Sequence, residues 1–183
     1  MIKKEKVAIY IDGSNLYHKL KDLKVEKTTD FDYKGFSDFL ARGREVTSYR
    51  YYVGVVRVRD NNKKALQMRT NQQRLFSNLE KQKFSIKYGY LMENYGIFHE
   101  KGVDVKLATD MLIGAYQNFY DTAILISSDT DLIPAIRHVK FLGKKIEYIG
   151  FSHLPSIGLQ KNVDLSRLLI REDIEKFIHI LKT

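Results

Sequence analysis

The chain of 183 residues contains no cysteine, which excludes disulfides, thiolate metal sites and cysteine nucleophiles. That absence agrees with a reducing compartment. No apolar run approaches the ~20 residues that span a bilayer. The charged start Met1-Ile2-Lys3-Lys4-Glu5-Lys6 runs straight into the first apolar pattern, with no separate apolar segment and no small-residue cleavage site. No signal peptide is therefore expected, and the chain reads as a soluble cytoplasmic protein. Internal repeats and low-complexity segments are missing as well. The length suits a single domain over residues 1–183 whose core needs no staples, with a core at about 5–150 and a C-terminal helical segment at about 151–183. The five histidines are scattered, with no spacing that suggests a general base.

What the chain does have is positive charge, a formal +9 at pH 7. A polyanionic partner is the physical expectation, a lysine-rich soluble surface the plainer one. The charge is unevenly spread. Between Arg57 and Lys87 nine basic residues face two acidic ones, whereas between His99 and Asp131 six acids face only Lys101 and Lys106. A basic segment beside an acidic cluster suits a protein that grips a phosphate backbone while chelating cations.

Strand and helix signals alternate along the chain. Apolar runs at Lys6–Ile11, Val46–Val58, Phe84–Tyr90, Thr122–Ser127 and Lys145–Gly150 read as strands. Helical patterns fill the gaps: Ser14 to about Leu23, a helix carrying Phe36, Phe39 and Leu40, Lys63–Lys81, Val103–Tyr116 and Leu132–Phe141. Asn94-Tyr95-Gly96 reads as a hairpin turn before Ile97-Phe98. Two short helical stretches, Leu154–Leu159 and Arg171–Leu181, complete the pattern. Strands separated by helices indicate an α/β protein, three layers α/β/α around a mostly parallel central sheet.

Three aspartates sit where secondary structure changes direction. Asp12 follows the run Val7-Ala8-Ile9-Tyr10-Ile11, Asp104 opens a helix, and Asp129 follows Ile124-Leu125-Ile126-Ser127-Ser128. Carboxylates at strand ends and at a helix start can converge on one edge of an open sheet, where such folds keep their sites. Clustered acids repel unless a hard cation joins them, and Mg²⁺ or Mn²⁺ is the usual one. Each acid also has a plainer explanation. Asp12 can serve a turn, with Gly13 permitting a tight bend and Asn15 orienting the carboxylate. Asp104 suits a helix dipole, although positions 104, 108, 111 and 115 place it on the core-facing stripe. Asp131 is a good N-cap for the helix from Leu132, with Pro134 allowed in its first turn. Asp129 lacks an equally good local role, and Asp110, off the apolar stripe, is expected to be solvated.

The segments Tyr10-Ile11-Asp12-Gly13-Ser14-Asn15-Leu16, Lys101-Gly102-Val103-Asp104-Val105 and Ser127-Ser128-Asp129-Thr130-Asp131-Leu132 together resemble the NYN domain family, the LabA-like group of PIN-like ribonucleases. The likeness runs from the first strand to about Gly150, and only these segments are diagnostic. It implies a PIN-like fold and a divalent-metal site built from Asp12, Asp104, Asp129 and Asp131, supported by Asn15. Ser128 and Thr130 stand where the family often has glycine and serine, and both acids of that motif are kept.

The resemblance implies hydrolysis of phosphodiester bonds with Mg²⁺ or Mn²⁺ held by the aspartates. RNA as the substrate rests on the resemblance alone. For substrate contacts, Arg57, Arg59, Lys63, Lys64, Arg69 and Arg74 can track a backbone, Lys101 can meet a phosphate, and Tyr95 at the hairpin tip can stack on a base. Two rival classes remain. One is a catalytically silent RNA-binding or protein-interaction module on the same fold. The other is a different phosphoryl enzyme: a Toprim-type domain would want glutamate at Asp12, and an aspartyl-phosphate phosphatase a second acid where Ser14 stands.

Overall fold

The computed structural model describes residues 4–25, 28–55, 63–94 and 97–178, and of residues 64, 90–94 and 97–100 the backbone alone. Seven strands form one sheet: β1 (Lys6–Asp12), β2 (Glu45–Val55), β3 (Ser85–Asn94), β4 (Ile97–Lys101), β5 (Thr122–Ile126), β6 (Lys145–Phe151) and β7 (Leu165–Leu169). Their order is β4-β3-β2-β1-β5-β6-β7. All neighbours are parallel except β3 and β4, which pair antiparallel with Asn94 opposite Ile97. The helices are α1 (Gly13–Asp22), α2 (Tyr33–Ala41), α3 (Lys63–Lys81), α4 (Val103–Tyr116), α5 (Ile133–Phe141), α6 (Ile157–Gln160) and α7 (Arg171–Glu175).

The apolar runs become strands because they are covered on both faces, and a strand of that kind must be apolar throughout. Along β1, Val7, Ile9 and Ile11 enter one core with α1, α2, α3 and α7, while Ala8 and Tyr10 enter a second core with α4, α5 and α6. Residues Ala123 and Leu125 of β5 share that second core, and Ile124 and Ile126 the first. The result is three layers around a mostly parallel sheet, as the alternating pattern predicts. Chain order carries β1, β2 and β3 outward on one side of β1, and β5, β6 and β7 on the other. The direction therefore switches between β1 and β5, and the carboxyl ends of these two strands flank the crevice where open α/β sheets bind ligands.

Two expectations change at the C-terminal side. The segment after Phe151 is not purely helical: it supplies β7, hydrogen-bonded parallel to β6. Leu165-Ser-Arg-Leu-Leu lacks the β-branched residues that mark a strand, and as an edge strand it buries only Leu169. The second helical stretch shortens to Arg171–Glu175, and residues 179–183 lie outside the described residues. So do Tyr95 and Gly96 of the expected hairpin tip and residues 56–62 after β2, which carry Arg57 and Arg59.

Within α4 the buried side is set by Val103, Leu107, Asp110, Met111, Gly114 and Ala115. The stripe is rotated from the expected one, so Asp104 is exposed and Asp110 is only 6 % exposed. Both stripes share Met111 and Ala115, and spacing alone does not separate them. What keeps Asp110 inside is its partners. Its Oδ2 accepts a hydrogen bond from the Tyr52 hydroxyl at 3.0 Å, its Oδ1 pairs with Lys106 at 3.0 Å, and Arg50 lies 3.7 Å away.

Candidate active site

Asp12 ends β1 and caps α1. Its backbone is extended (φ −72°, ψ 106°), and its Oδ1 accepts a hydrogen bond from the Asn15 N–H at 3.0 Å, the geometry of an N-cap. Gly13 is required by proximity rather than by a left-handed bend: it is the first helical residue, and a Cβ there would stand 2.6 Å from the Tyr52 carbonyl and run into the Tyr51 ring. The helix thus starts hard against β2. The Asp12 side chain is nearly fully buried, and a buried carboxylate needs donors. Its second donor comes from the neighbouring strand: the Ser127 hydroxyl donates to Oδ2 at 2.9 Å.

Ser127 does more than finish a strand. The same hydroxyl oxygen accepts the Asp129 N–H at 3.1 Å, so one buried serine ties the first acidic motif to the third. Asp129 is itself the cap of a 3-10 turn over Thr130–Leu132, its Oδ1 accepting the Asp131 N–H at 2.9 Å. This reverses the expected assignment. Asp129 has the capping role, helix α5 begins after it at Ile133 with no side-chain cap, and Asp131 is exposed. The intervening 3-10 turn moves the helix start beyond the reach of Asp131.

Asp104 arrives from the opposite layer. It is the second residue of α4, whose N-cap Gly102 has φ +78°, a left-handed conformation that glycine adopts without a Cβ penalty. The Asp104 pKa is raised, first by partial burial and then by the negative charges of Asp129 and Asp131; a hydrogen bond from its own backbone opposes the rise. Two acids are thus close enough to disfavour the ionised form of a third.

Asp12, Asp104 and Asp129 line one open cleft of about 460 Å³, together with Asn15 and Ser128. Four of the residues singled out in the sequence therefore share it. Asp131 stands beside the cleft and acts on Asp104 through charge. Lys101, at the end of β4, is exposed and is not in the cleft wall; neither are Lys63, Arg69 and Arg74 on the outer side of α3, and the side chain of Lys64 is among those not described. Arg57, Arg59 and Tyr95 lie outside the described residues.

Helix α1 supplies cleft residues that the sequence reading missed: Ser14, His18, Lys19 and Asp22. With Asn15 they recur at helical spacing on one face, and that recurrence was the available signal. It was obscured because Leu16 and Leu20 define the apolar face of the same helix and draw attention to the other side. Leu154, from the loop after β6, closes the far wall.

The donor set suits a hard divalent cation, since the acids in the cleft are oxygen ligands. Among the described residues, however, no three histidine, aspartate or glutamate side chains converge closely enough to cage an ion. Mg²⁺ is commonly held by only one or two carboxylates, with water and substrate phosphate completing the shell. The residues present fit that partial mode of binding and not an all-protein cage.

No curated protein matches the chain. Among solved structures, a protein of unknown function from Vibrio parahaemolyticus superposes with a TM-score of 0.69 at 23% identity, over 92% of this chain and 95% of that one. Likeness at that identity bears on the fold alone, and it supports the PIN-like arrangement of strands. Among described helices, none is long and apolar enough to cross a membrane. The family model of the NYN domain matches residues 6–169, and over that span, nearly its whole length, the chain belongs to the NYN domain family, a branch of the PIN-like nuclease superfamily.

Proposed function

We infer that the protein is a metal-dependent ribonuclease that hydrolyses RNA phosphodiester bonds in the cleft at the β1–β5 switch point. One observation carries this reading: Asp12, Asp104 and Asp129, from three separate segments, line the same open cleft. Mg²⁺ or Mn²⁺ held by these carboxylates would supply positive charge against the oxygens on which negative charge develops, and would acidify the attacking water. The protein's own part is positioning. Two hydrogen bonds fix the plane of the Asp12 carboxylate, and the 3-10 turn fixes Asp129. Desolvation and the charges of Asp129 and Asp131 raise the Asp104 pKa, and a cation held beside it would offset that repulsion. Asn15 and Asp131 support this centre. Lys101, Tyr95 and the basic residues Arg57, Arg59, Lys63, Lys64, Arg69 and Arg74 would hold the flanking strand. A single cytoplasmic domain fits the same reading.

The test is cleavage of a labelled single-stranded RNA by wild type and Asp129→Asn with Mn²⁺, Mg²⁺ or EDTA. Metal-dependent cleavage that the substitution removes is the expected result. Equal cleavage by both proteins would refute the site. That no three acids form a cage among the described residues favours one second reading, a catalytically silent RNA-binding module. It predicts RNA binding without turnover, unaffected by Asp129→Asn.

A further inference from the structure

The carboxylate centre leaves one basic side chain of the cleft without a role. Lys19 is only 6 % exposed, and its ammonium donates to the Leu154 carbonyl at 3.0 Å. Burial lowers its pKa while the charge of Asp22 opposes that effect. A buried ammonium has three donors, and one neutral carbonyl with the charge of Asp22 nearby leaves donors for an anion in the cleft. Lys19 also lies on the polar stripe that α1 turns toward the cleft, about 10 Å along the helix axis from Asp12 at ~1.5 Å per residue. The facing wall is the loop after β6, tied to α1 by the Lys19 bond and by His153, 3.6 Å from Asp22. Leu154, 61% exposed, stands at its rim.

We propose that Lys19 forms a second phosphate subsite: a single strand whose scissile phosphate lies at Asp12, Asp104 and Asp129 runs along α1 between the helix and the loop, and Lys19 binds a further internucleotide phosphate. His18 flanks that phosphate, and Leu154 offers an apolar edge to the adjoining base. The placement of the scissile phosphate rests on the nuclease reading; the Lys19 contact does not need turnover. The competing role is structural, with Lys19 serving only to fasten the loop.

Salt dependence separates the two. Each phosphate neutralised on a single strand adds about 0.7 to the slope of log affinity against log salt. In the full chain carrying Asp129→Asn, with Mg²⁺, binding of a labelled RNA oligonucleotide is measured by anisotropy across a salt series. Lys19→Met is expected to lower the slope by about 0.7, and Lys19→Arg to keep it. Weaker binding with an unchanged slope, unchanged binding, or no RNA binding by the parent would each overturn the subsite. Should Lys19→Met fail to fold by circular dichroism, the parent decides: affinity and slope must both rise from a dinucleotide to a longer strand, and no rise overturns it. Cleavage by wild type is scored separately, so failure of the nuclease reading remains distinguishable.

Discussion

Substituting Asp110 tests the packing of α4 directly, because sequence spacing and structure place this residue on opposite sides of the helix. In the structure its carboxylate is almost fully buried, accepts from Tyr52, pairs with Lys106 and lies near Arg50. Asp110→Asn keeps the shape and removes the charge. A hydrogen bond to a charged group contributes about 1.5–3 kcal/mol, and breaking a fully buried pair costs about 3–5 kcal/mol. Lys106 is 45% exposed, so its share is screened and contributes little. Arg50, 18% exposed and set over the Tyr10 ring, keeps its Tyr52 hydrogen bond but loses its carboxylate. The expected loss is thus about 2–3 kcal/mol, taken mainly from the Tyr52 bond and the Arg50 charge. For a chain of 183 residues that lowers Tm by roughly 5–10 °C, at about 2–4 °C per kcal/mol. The assay is urea unfolding of wild type, Asp110→Asn, Tyr52→Phe and the double variant. The two single losses should overlap, with a coupling of about 1 kcal/mol or more, as expected for residues in contact. A change within about 0.5 kcal/mol, typical of a solvated surface position, would refute the buried network.

Three other outcomes are expected. Ser127→Ala removes the hydroxyl shared by Asp12 and Asp129; it should cost about 1–3 kcal/mol in denaturant unfolding and lower metal-dependent cleavage further than that instability explains, whereas unchanged cleavage would make the bridge purely structural. Asp104→Asn should raise Tm at neutral pH in EDTA: the folded pKa of Asp104 lies above its unfolded value, so its contribution is fully present below about pH 3.9 and is lost as pH rises through the folded pKa. The gain should vanish in acid, Mn²⁺ should stabilise wild type more than the variant, and a Tm difference independent of both would exclude the charge repulsion. Glu147→Gln breaks a cluster far from the cleft, where one carboxylate that is 2% exposed joins Arg44 at 2.7 Å and Arg167 at 3.2 Å; unfolding should become easier by about 3 kcal/mol or more with the per-molecule cleavage rate unchanged, and a stability within error of wild type would mean the cluster is solvated.

The legible parts of this protein were those that local chemistry imposes. Strands β1, β5 and β6 show in the sequence because burial on both faces forces unbroken apolar runs, and the parallel sheet follows from the helices between them. Asp12, Asp104 and Asp129 could be grouped because each stands at an element boundary, and boundaries meet at the switch point. The errors have a common cause, which is that tertiary partners outweigh local pattern. Asp110 is buried because Tyr52, 58 positions earlier on β2, supplies a donor, and nothing in α4 announces it. Asp131 has a good capping sequence, yet the chain inserts a 3-10 turn that hands the cap to Asp129. Strand β7 exists because β6 offers a free ladder, and an edge strand of leucine, serine and arginine carries no alternation to betray it. The α1 stripe that contains Lys19 was written in helical spacing but spoke for itself only once the opposite wall was known.

The site joins the two layers, and its acids are not held alike. Asp12 is fastened from both sides of the β1–β5 seam, by the Asn15 N–H and by the Ser127 hydroxyl. Asp129 is fastened by the turn it caps. Asp104 stands in the first turn of α4 beside the buried Val103, and it faces the charges of Asp129 and Asp131. Repulsion from those two acids adds to desolvation in raising the Asp104 pKa. A cation held in the cleft would offset that repulsion at Asp104.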